Sequence, residues 1–131
     1  MTRIFRILIA LVGIFNIGIG TAFLLKPADL AARFHLLPEN ILGLATVRAD
    51  FPALFLGAGL FALLGAWRAD PEPLKVPLVL FAITLFGRTL SLVLDGFAAA
   101  AFPPMFAEVI MIVIMVGGIM AFREAAARQP L

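Results

Sequence analysis

Four long apolar stretches take up most of this chain and restrict what it can fold into. They run from about residue 4 to 25, 48 to 67, 76 to 97 and 103 to 122. About 20 apolar residues in a helix cross the roughly 30 Å hydrocarbon core of a bilayer, so each stretch approaches or reaches the length of a span. Of the 131 residues, 63% are hydrophobic and only 14% are charged, which is too little polar surface for a water-soluble domain. The sequence therefore predicts one all-α, polytopic membrane domain over residues 1–131, an antiparallel four-helix bundle with short connections.

Composition also excludes several kinds of site. The chain has no Cys and a single His, which excludes disulfides, thiolate metal sites, paired-histidine haem ligation and His-rich metal sites within one chain. A net charge of +2 is too small to indicate nucleic-acid binding. No phosphate loop, nucleophile elbow or zinc signature occurs. We therefore predict no metal, no cofactor and no catalytic residue, although enzymatic activity stays open.

The distribution of Lys and Arg predicts how the chain is oriented. With the N-terminus inside, six of these residues lie on the inner side: Arg3, Arg6, Arg68, Lys75, Arg123 and Arg128. Three lie on the outer side: Lys26, Arg33 and Arg48. Because short cytoplasmic loops carry the excess of positive charge, both termini are expected in the cytoplasm. The first stretch is longer than the ~7–15 apolar residues of a secretory signal, so we expect it to be retained.

The longest outer loop, from Lys26 to about residue 50, predicts a short helix that lies in the membrane interface. Over about residues 27–37, Leu30, Phe34 and Leu37 share one helical face. This segment is too short to span and is expected to cover the outer mouth of the bundle with those three side chains facing inward. Phe34 and His35 would then act as a lid, although His35 can equally be an ordinary surface histidine.

The third stretch carries a polar stripe inside the predicted membrane region. Thr84, Arg88, Ser91 and Asp95 follow at intervals of four, three and four residues, which places them on one helical face. Arg88 lies 13 residues after Lys75, or ~20 Å from the inner edge. A charge at the bilayer centre costs ~2.5–3.5 kcal/mol, so the stripe requires an explanation. Asp95 alone can also mark the end of the span near the headgroups.

Charges on two other stretches reach a similar depth. By the same rise per residue, Glu108 on the fourth stretch and Arg48 on the second also fall in the outer half of the bilayer. Arg48, Arg88, Asp95 and Glu108 are therefore expected to form a charged cluster. The cluster can line a pocket that opens outward, or it can be a clamp between helices without a ligand. Asp50 is expected to cap the start of the second span instead of joining it.

Asn16 and several small residues have interpretations of their own. Asn16 is a lone amide in the first span, and it can hydrogen-bond across a helix contact or touch a ligand. Ala58, Ala62 and Ala66 on the second span and the Gly117–Gly118 pair on the fourth predict close helix packing, within the bundle or between protomers.

Together these motifs resemble a known family. Its members are small bacterial four-helix membrane proteins of unknown function, distantly related to the DoxX-like group. The resemblance rests on Arg48, Gly57-x-Gly59, Gly87-Arg88, Asp95-Gly96 and Glu108. The chain departs from the expected pattern after Arg48, where Pro52-Ala53 replaces a glycine pair. The resemblance implies the four-helix fold and the importance of the charged residues, but it implies no substrate.

Three functional hypotheses follow from the sequence. In the first, an outward-opening pocket binds an amphipathic small molecule or a membrane lipid, with its polar head on Arg88 and Glu108 and its tail among Phe and Met side chains. In the second, the protein is an accessory subunit of a larger membrane complex, or a homodimer, that packs through its small-residue faces. The third, a proton-coupled carrier or enzyme that uses Glu108, has the least support because a four-span carrier would need to dimerise.

Overall fold

The computed structural model describes residues 1–128, and this part of the chain is helical apart from short connections. The helices are α1 (Thr2–Leu25), α2 (Pro27–Arg33), α3 (Ile41–Arg68), α4 (Pro71–Leu94) and α5 (Phe102–Ala127), with a 3₁₀ turn at Ala99–Ala101 before α5. Residues 1–128 contain no strand. The four long helices α1, α3, α4 and α5 are long and apolar enough to cross a membrane. The prediction of an all-α, multi-pass membrane protein is confirmed at this level.

Helix α3 begins earlier than the sequence indicated. It begins at Ile41, where the side chain of Asn40 accepts a 2.9 Å hydrogen bond from the Gly43 amide and so caps the helix. Asp50 consequently lies within α3 as an exposed residue and does not cap it. The sequence misled because Pro52 resembles a start signal, whereas the structure accommodates this buried proline inside the helix.

Helix α4 differs in the same way. The side chain of Asp70 accepts a 2.9 Å hydrogen bond from the Glu72 amide, so α4 begins at Pro71 and Pro77 lies inside it. Only Ala69 and Asp70 connect α3 to α4, and Ala69 makes the reversal with a left-handed φ of 52°. At its other end α4 stops at Leu94, three residues before the predicted end.

Helix α2 is shorter than the predicted interfacial helix. It ends at Arg33, and His35 adopts a left-handed φ of 57° that turns the chain out of the helix. Leu30 and Phe34 still pack inward, on a cluster formed by Phe23, Ala31 and Val47. Leu37 was expected to share that face but is 87% exposed, because it lies beyond the turn at His35.

The four long helices pack tightly at one end, which we call the closed end. It contains the first halves of α1 and α4 and the second halves of α3 and α5, with Ile9, Leu74, Met115 and Phe122 fully buried or nearly so. Helices α1 and α3 approach so closely that a Cβ added to Gly59 would lie 2.7 Å from the Gly13 carbonyl oxygen. Small residues at this end are therefore used for packing within the chain.

Arg6 ties the closed end together. Its Nε donates to the Ala66 carbonyl at 2.9 Å, and its Nη2 donates to the Trp67 carbonyl at 3.0 Å. These carbonyls belong to the last turn of α3, where the helix itself provides no donors and where a positive charge is favoured. The start of α1 is thereby fixed to the end of α3.

Packing is looser at the opposite end, which we call the cavity end. The buried residues of α4 are Leu74, Pro77 and Phe81, and none follows Phe81 within this fully described helix. A Cβ added to Gly87 would meet no atom within 4 Å among the described residues. The second half of α4 is thus covered by few neighbours, and a cavity lies beside it.

Candidate functional site

A cavity of about 280 Å³ lies at the cavity end and is lined by side chains of all four long helices. Most of its wall is aromatic or aliphatic and includes Phe15, Phe34, Phe51, Phe55, Phe81 and Met111. Four polar residues also line it: Asn16, Thr84, Arg88 and Glu108. An apolar cavity with a few converging polar groups is the usual form of a small-molecule site.

An ion pair between α4 and α5 forms one side of the cavity. Arg88 Nε donates to Glu108 Oε1 at 2.9 Å, and the Glu108 side chain is only 10% exposed. The Arg88 side chain is 36% exposed and makes this contact through a single nitrogen, which leaves other guanidinium donors available. Glu108 Oε2 is buried and has no hydrogen-bond partner among the described residues. The pair is therefore only partly satisfied by the protein.

Asn16 reaches the cavity from α1 and is fully buried. Its Nδ2 donates to the Val12 carbonyl at 2.9 Å and lies 3.5 Å from Met111 Sδ. Since a carbonyl can only accept, the Asn16 atom beside the Val12 carbonyl must be the amide nitrogen Nδ2. Asn16 Oδ1 is consequently the free end, and it has no partner within residues 1–128. The cavity lining thus contains two buried oxygens that lack donors.

Two further predicted residues belong to the same cavity. Thr84 Oγ1 donates to the Phe81 carbonyl at 2.9 Å, so its hydroxyl proton is used within α4. Phe34, in the segment after α2, lines the cavity and packs on Phe23, with ring centroids 5.2 Å apart. Phe23 also stacks on Phe51 at 4.8 Å. Phe34 therefore belongs to both the cavity lining and an aromatic cluster.

The structure does not bring every predicted residue to the cavity. Arg48 is exposed on α3, does not line the cavity, and forms no side-chain hydrogen bond or ion pair with the described residues. Ser91 donates a hydrogen bond to Asp95, and both are exposed in a shallow groove at the end of α4 that also borders Arg88. His35 is exposed and lies outside the cavity lining.

Sequence reasoning missed the residues that form the apolar walls. Phe51 and Phe55 are one helical turn apart on α3, Phe81 lies one turn before Thr84 and two before Arg88, and Met111 follows Glu108 by three residues. The sequence spacing places Phe81 and Met111 on the same helical faces as polar residues of the cavity. The thirteen phenylalanines gave no way to choose among them, because an apolar residue in a span can face lipid or the interior equally well.

The cavity offers hydrogen-bond donors, hydrogen-bond acceptors and apolar contacts. No group of three or more His, Asp or Glu side chains able to hold a metal occurs in the described part of the chain. Arg88 supplies donors, while Asn16 and Glu108 supply acceptors, all beside aromatic walls. The site can therefore hold a small molecule that has one polar end and one apolar end.

Comparison with other proteins gives a family but no described function. No curated protein and no solved structure matches this chain. A family model described as a domain of unknown function (DUF4345) matches residues 4–122. Since the match covers nearly the whole chain, the protein belongs to this family of unknown function.

Proposed function

We propose that this protein is an antiparallel four-helix bundle in a bacterial inner membrane, and that it binds an amphipathic small molecule or lipid in the cavity. The polar head of the ligand would contact Arg88 and Glu108, and its apolar part would lie among the phenylalanines. The observation that carries the proposal is the cavity itself, in which a partly satisfied ion pair and a buried amide face apolar walls. We also propose that the family is distantly related to the DoxX-like group.

Electrostatics support a ligand at the polar side of the cavity. A guanidinium has five N–H donors, and the contact with Glu108 occupies one of them. Burying a charged pair is favourable only when its remaining donors and acceptors also find partners. A ligand head group can satisfy these atoms, and the aromatic walls can cover a chain or ring without any polar requirement.

The positions of the basic residues support a cytoplasmic closed end. Arg3 and Arg6 begin α1, Arg68 ends α3, Lys75 lies in the second turn of α4 and Arg123 lies near the end of α5. These are the helix ends that meet at the closed end, so the positive-inside rule orients it toward the cytoplasm and the cavity outward. Both termini would then be cytoplasmic.

Cysteine labelling tests this orientation directly, because the natural chain has no Cys. Thr2→Cys places a thiol at the start of α1, and Glu39→Cys places one at an exposed position before α3. A membrane-impermeant maleimide added to intact cells is expected to label E39C and not T2C. Labelling of T2C from outside would reverse the proposed orientation.

Binding is better supported than the accessory-subunit alternative. That role was predicted to use small-residue faces, yet one of those faces, formed by Ala58, Ala62 and Ala66, is buried inside the bundle. The close approach of Gly13 and Gly59 is likewise internal. A homodimer or larger complex stays a prediction, to be examined through the exposed surface of α4.

Native mass spectrometry of protein extracted from its membrane tests the binding proposal. We expect the wild type to carry a co-purified molecule that Arg88→Gln loses. Arg48→Gln is the matched control, because it removes the same chemical group from an exposed position away from the cavity. If R88Q retains the molecule, or if the wild type carries none, the proposal should be abandoned in favour of an accessory role.

A further inference from the structure

Two buried oxygens in the cavity lining determine which polar group the ligand would need. Asn16 is 0% exposed and Glu108 is 7% exposed, and Asn16 Oδ1 and Glu108 Oε2 both lack partners within the described chain. An unpaired buried polar atom destabilises a folded protein, because the atom loses its hydrogen bonds to water and gains none. Such atoms are rare in folded proteins, and one explanation is a missing partner molecule.

Both atoms are hydrogen-bond acceptors. The amide orientation of Asn16 follows from its donation to the Val12 carbonyl, so the free atom is the oxygen. A Glu108 carboxylate paired with the Arg88 guanidinium has only acceptor sites, and one oxygen still has none of its sites occupied. The missing partner must therefore donate at least one hydrogen bond, and two donors would satisfy both oxygens.

The charges at the site indicate that the donor is uncharged. Arg88 and Glu108 sum to zero, and Asn16 and Thr84 carry no charge. A carboxylate or phosphate head would leave one negative charge uncompensated in an apolar cavity, and an ammonium head would leave one positive charge. Either is costly in a medium of low dielectric constant.

We infer that the cavity selects ligands with an uncharged, hydroxyl-bearing polar end on an apolar group, a class that includes monoacylglycerols. Asn16 and Glu108 are then the residues that determine this specificity. Two hydroxyl protons supply what the two free acceptors lack once the buried side chains of Asn16 and Glu108 rotate toward the cavity. The hydroxyl oxygens accept from the remaining N–H groups of Arg88. This inference rests on the proposed function, since it specifies the ligand of the same cavity.

The test compares probes that share a twelve-carbon chain and differ in the head. They are 1-monododecanoylglycerol, methyl dodecanoate, which has no donor, dodecanoate, which is anionic, and dodecylamine, which is cationic. Titration by native mass spectrometry of the purified protein should show that the glycerol ester binds about tenfold more tightly than the methyl ester. The two charged probes should also bind more weakly than the glycerol ester.

Three variants relate this preference to the structure. Asn16→Leu removes one free acceptor without touching the ion pair and should reduce the preference several-fold. Glu108→Gln can place an amide donor where the free oxygen lies, so it should remove most of the preference. Thr89→Val is the control, because its hydroxyl donates to Leu85 on the exposed side of α4 and should leave the preference unchanged.

A cavity-filling variant separates failure of this inference from failure of the proposed function. Ala107 lines the cavity, so Ala107→Phe should block every probe. If wild type binds the methyl ester or a charged probe at least as tightly as the glycerol ester, and A107F abolishes that binding, the donor inference is overturned while the cavity remains a binding site. If no probe binds, or if A107F binds as wild type does, both proposals fail. A preference that N16L and E108Q leave intact overturns the inference as well.

Discussion

The two ends of this bundle differ in how completely their residues are packed and hydrogen-bonded. At the closed end, Gly59 on α3 lies against Gly13 on α1, Gly118 on α5 lies against Ile9, and the guanidinium of Arg6 donates to two backbone carbonyls. At the cavity end, Gly87 meets no side chain among the described residues, and two buried oxygens lack partners in that part of the chain. At the closed end packing and hydrogen bonding are satisfied, whereas at the cavity end α1 and α3 still pack closely, with Gly20 against Leu56, and the gaps lie beside α4.

This difference shows how a small helical bundle can be held together and still keep an internal cavity. Helix association in lipid depends on close packing and on hydrogen bonds between helices, because lipid tails are as apolar as the side chains they contact. The closed end supplies both within a few turns of each helix. The four helices are thereby held together, and at the other end the second half of α4 can border a cavity instead of packing closely.

The largest expected effect comes from breaking the ion pair at the cavity end. Arg88→Leu leaves the buried Glu108 carboxylate without its partner, and we expect a loss of about 3 kcal/mol in the free energy of unfolding. Glu108→Gln in the same chain should recover most of that loss, because no charge is then stranded. Unfolding in mixed detergent micelles of wild type, both single variants and the double variant measures the coupling.

Zero coupling in that cycle would mean that the two side chains do not stabilise each other. The cavity end would then contribute through apolar contacts alone, and the contrast between the two ends would become weaker.

A smaller effect is expected from adding one methyl group at the closed end. Gly59→Ala places a Cβ 2.7 Å from the Gly13 carbonyl oxygen, so α1 and α3 must move apart, at a cost of about 2 kcal/mol. Gly57→Ala, two residues away on the same helix, adds a Cβ that meets nothing within 4 Å in the described structure. It should be neutral or stabilise by up to about 1 kcal/mol, since Ala favours helix more than Gly does.

Thermal unfolding of the two glycine variants in one detergent gives this comparison. Equal stability of G59A and G57A would contradict the close approach of α1 and α3.

The smallest effect is expected at Arg6. Arg6→Met removes the donors to the last carbonyls of α3 and should destabilise the protein by about 1 kcal/mol. Arg3→Met removes the same charge one turn earlier, from an exposed side chain with no hydrogen bond recorded within the described chain, and should change stability by less than about 0.5 kcal/mol. The same unfolding assay compares the two, and an equal loss for both would indicate a general charge effect.

Much of the fold could be predicted from the sequence. Four spans followed from the length and polarity of four stretches, since the thickness of a bilayer sets the length of a crossing helix. Helix starts were harder to predict, because Pro52 and Pro77 resemble start signals while the capping groups are Asn40 and Asp70. A proline inside a helix and a proline in the first turn of a helix have the same local sequence pattern. Only the position of the capping residue upstream distinguishes them.

The candidate site, like the fold, could be predicted only in part from the sequence. The sequence by itself predicted that Arg48, Arg88 and Glu108 lie at a similar depth, because each helical residue advances 1.5 Å along the axis. Only the tertiary structure decided which of them meet. Rotation of a helix about its axis depends on its packing against neighbours, and that packing joins Arg88 to Glu108 beside Asn16 while leaving Arg48 exposed. Depth is a property of one helix, whereas a cavity requires several helices to face one another.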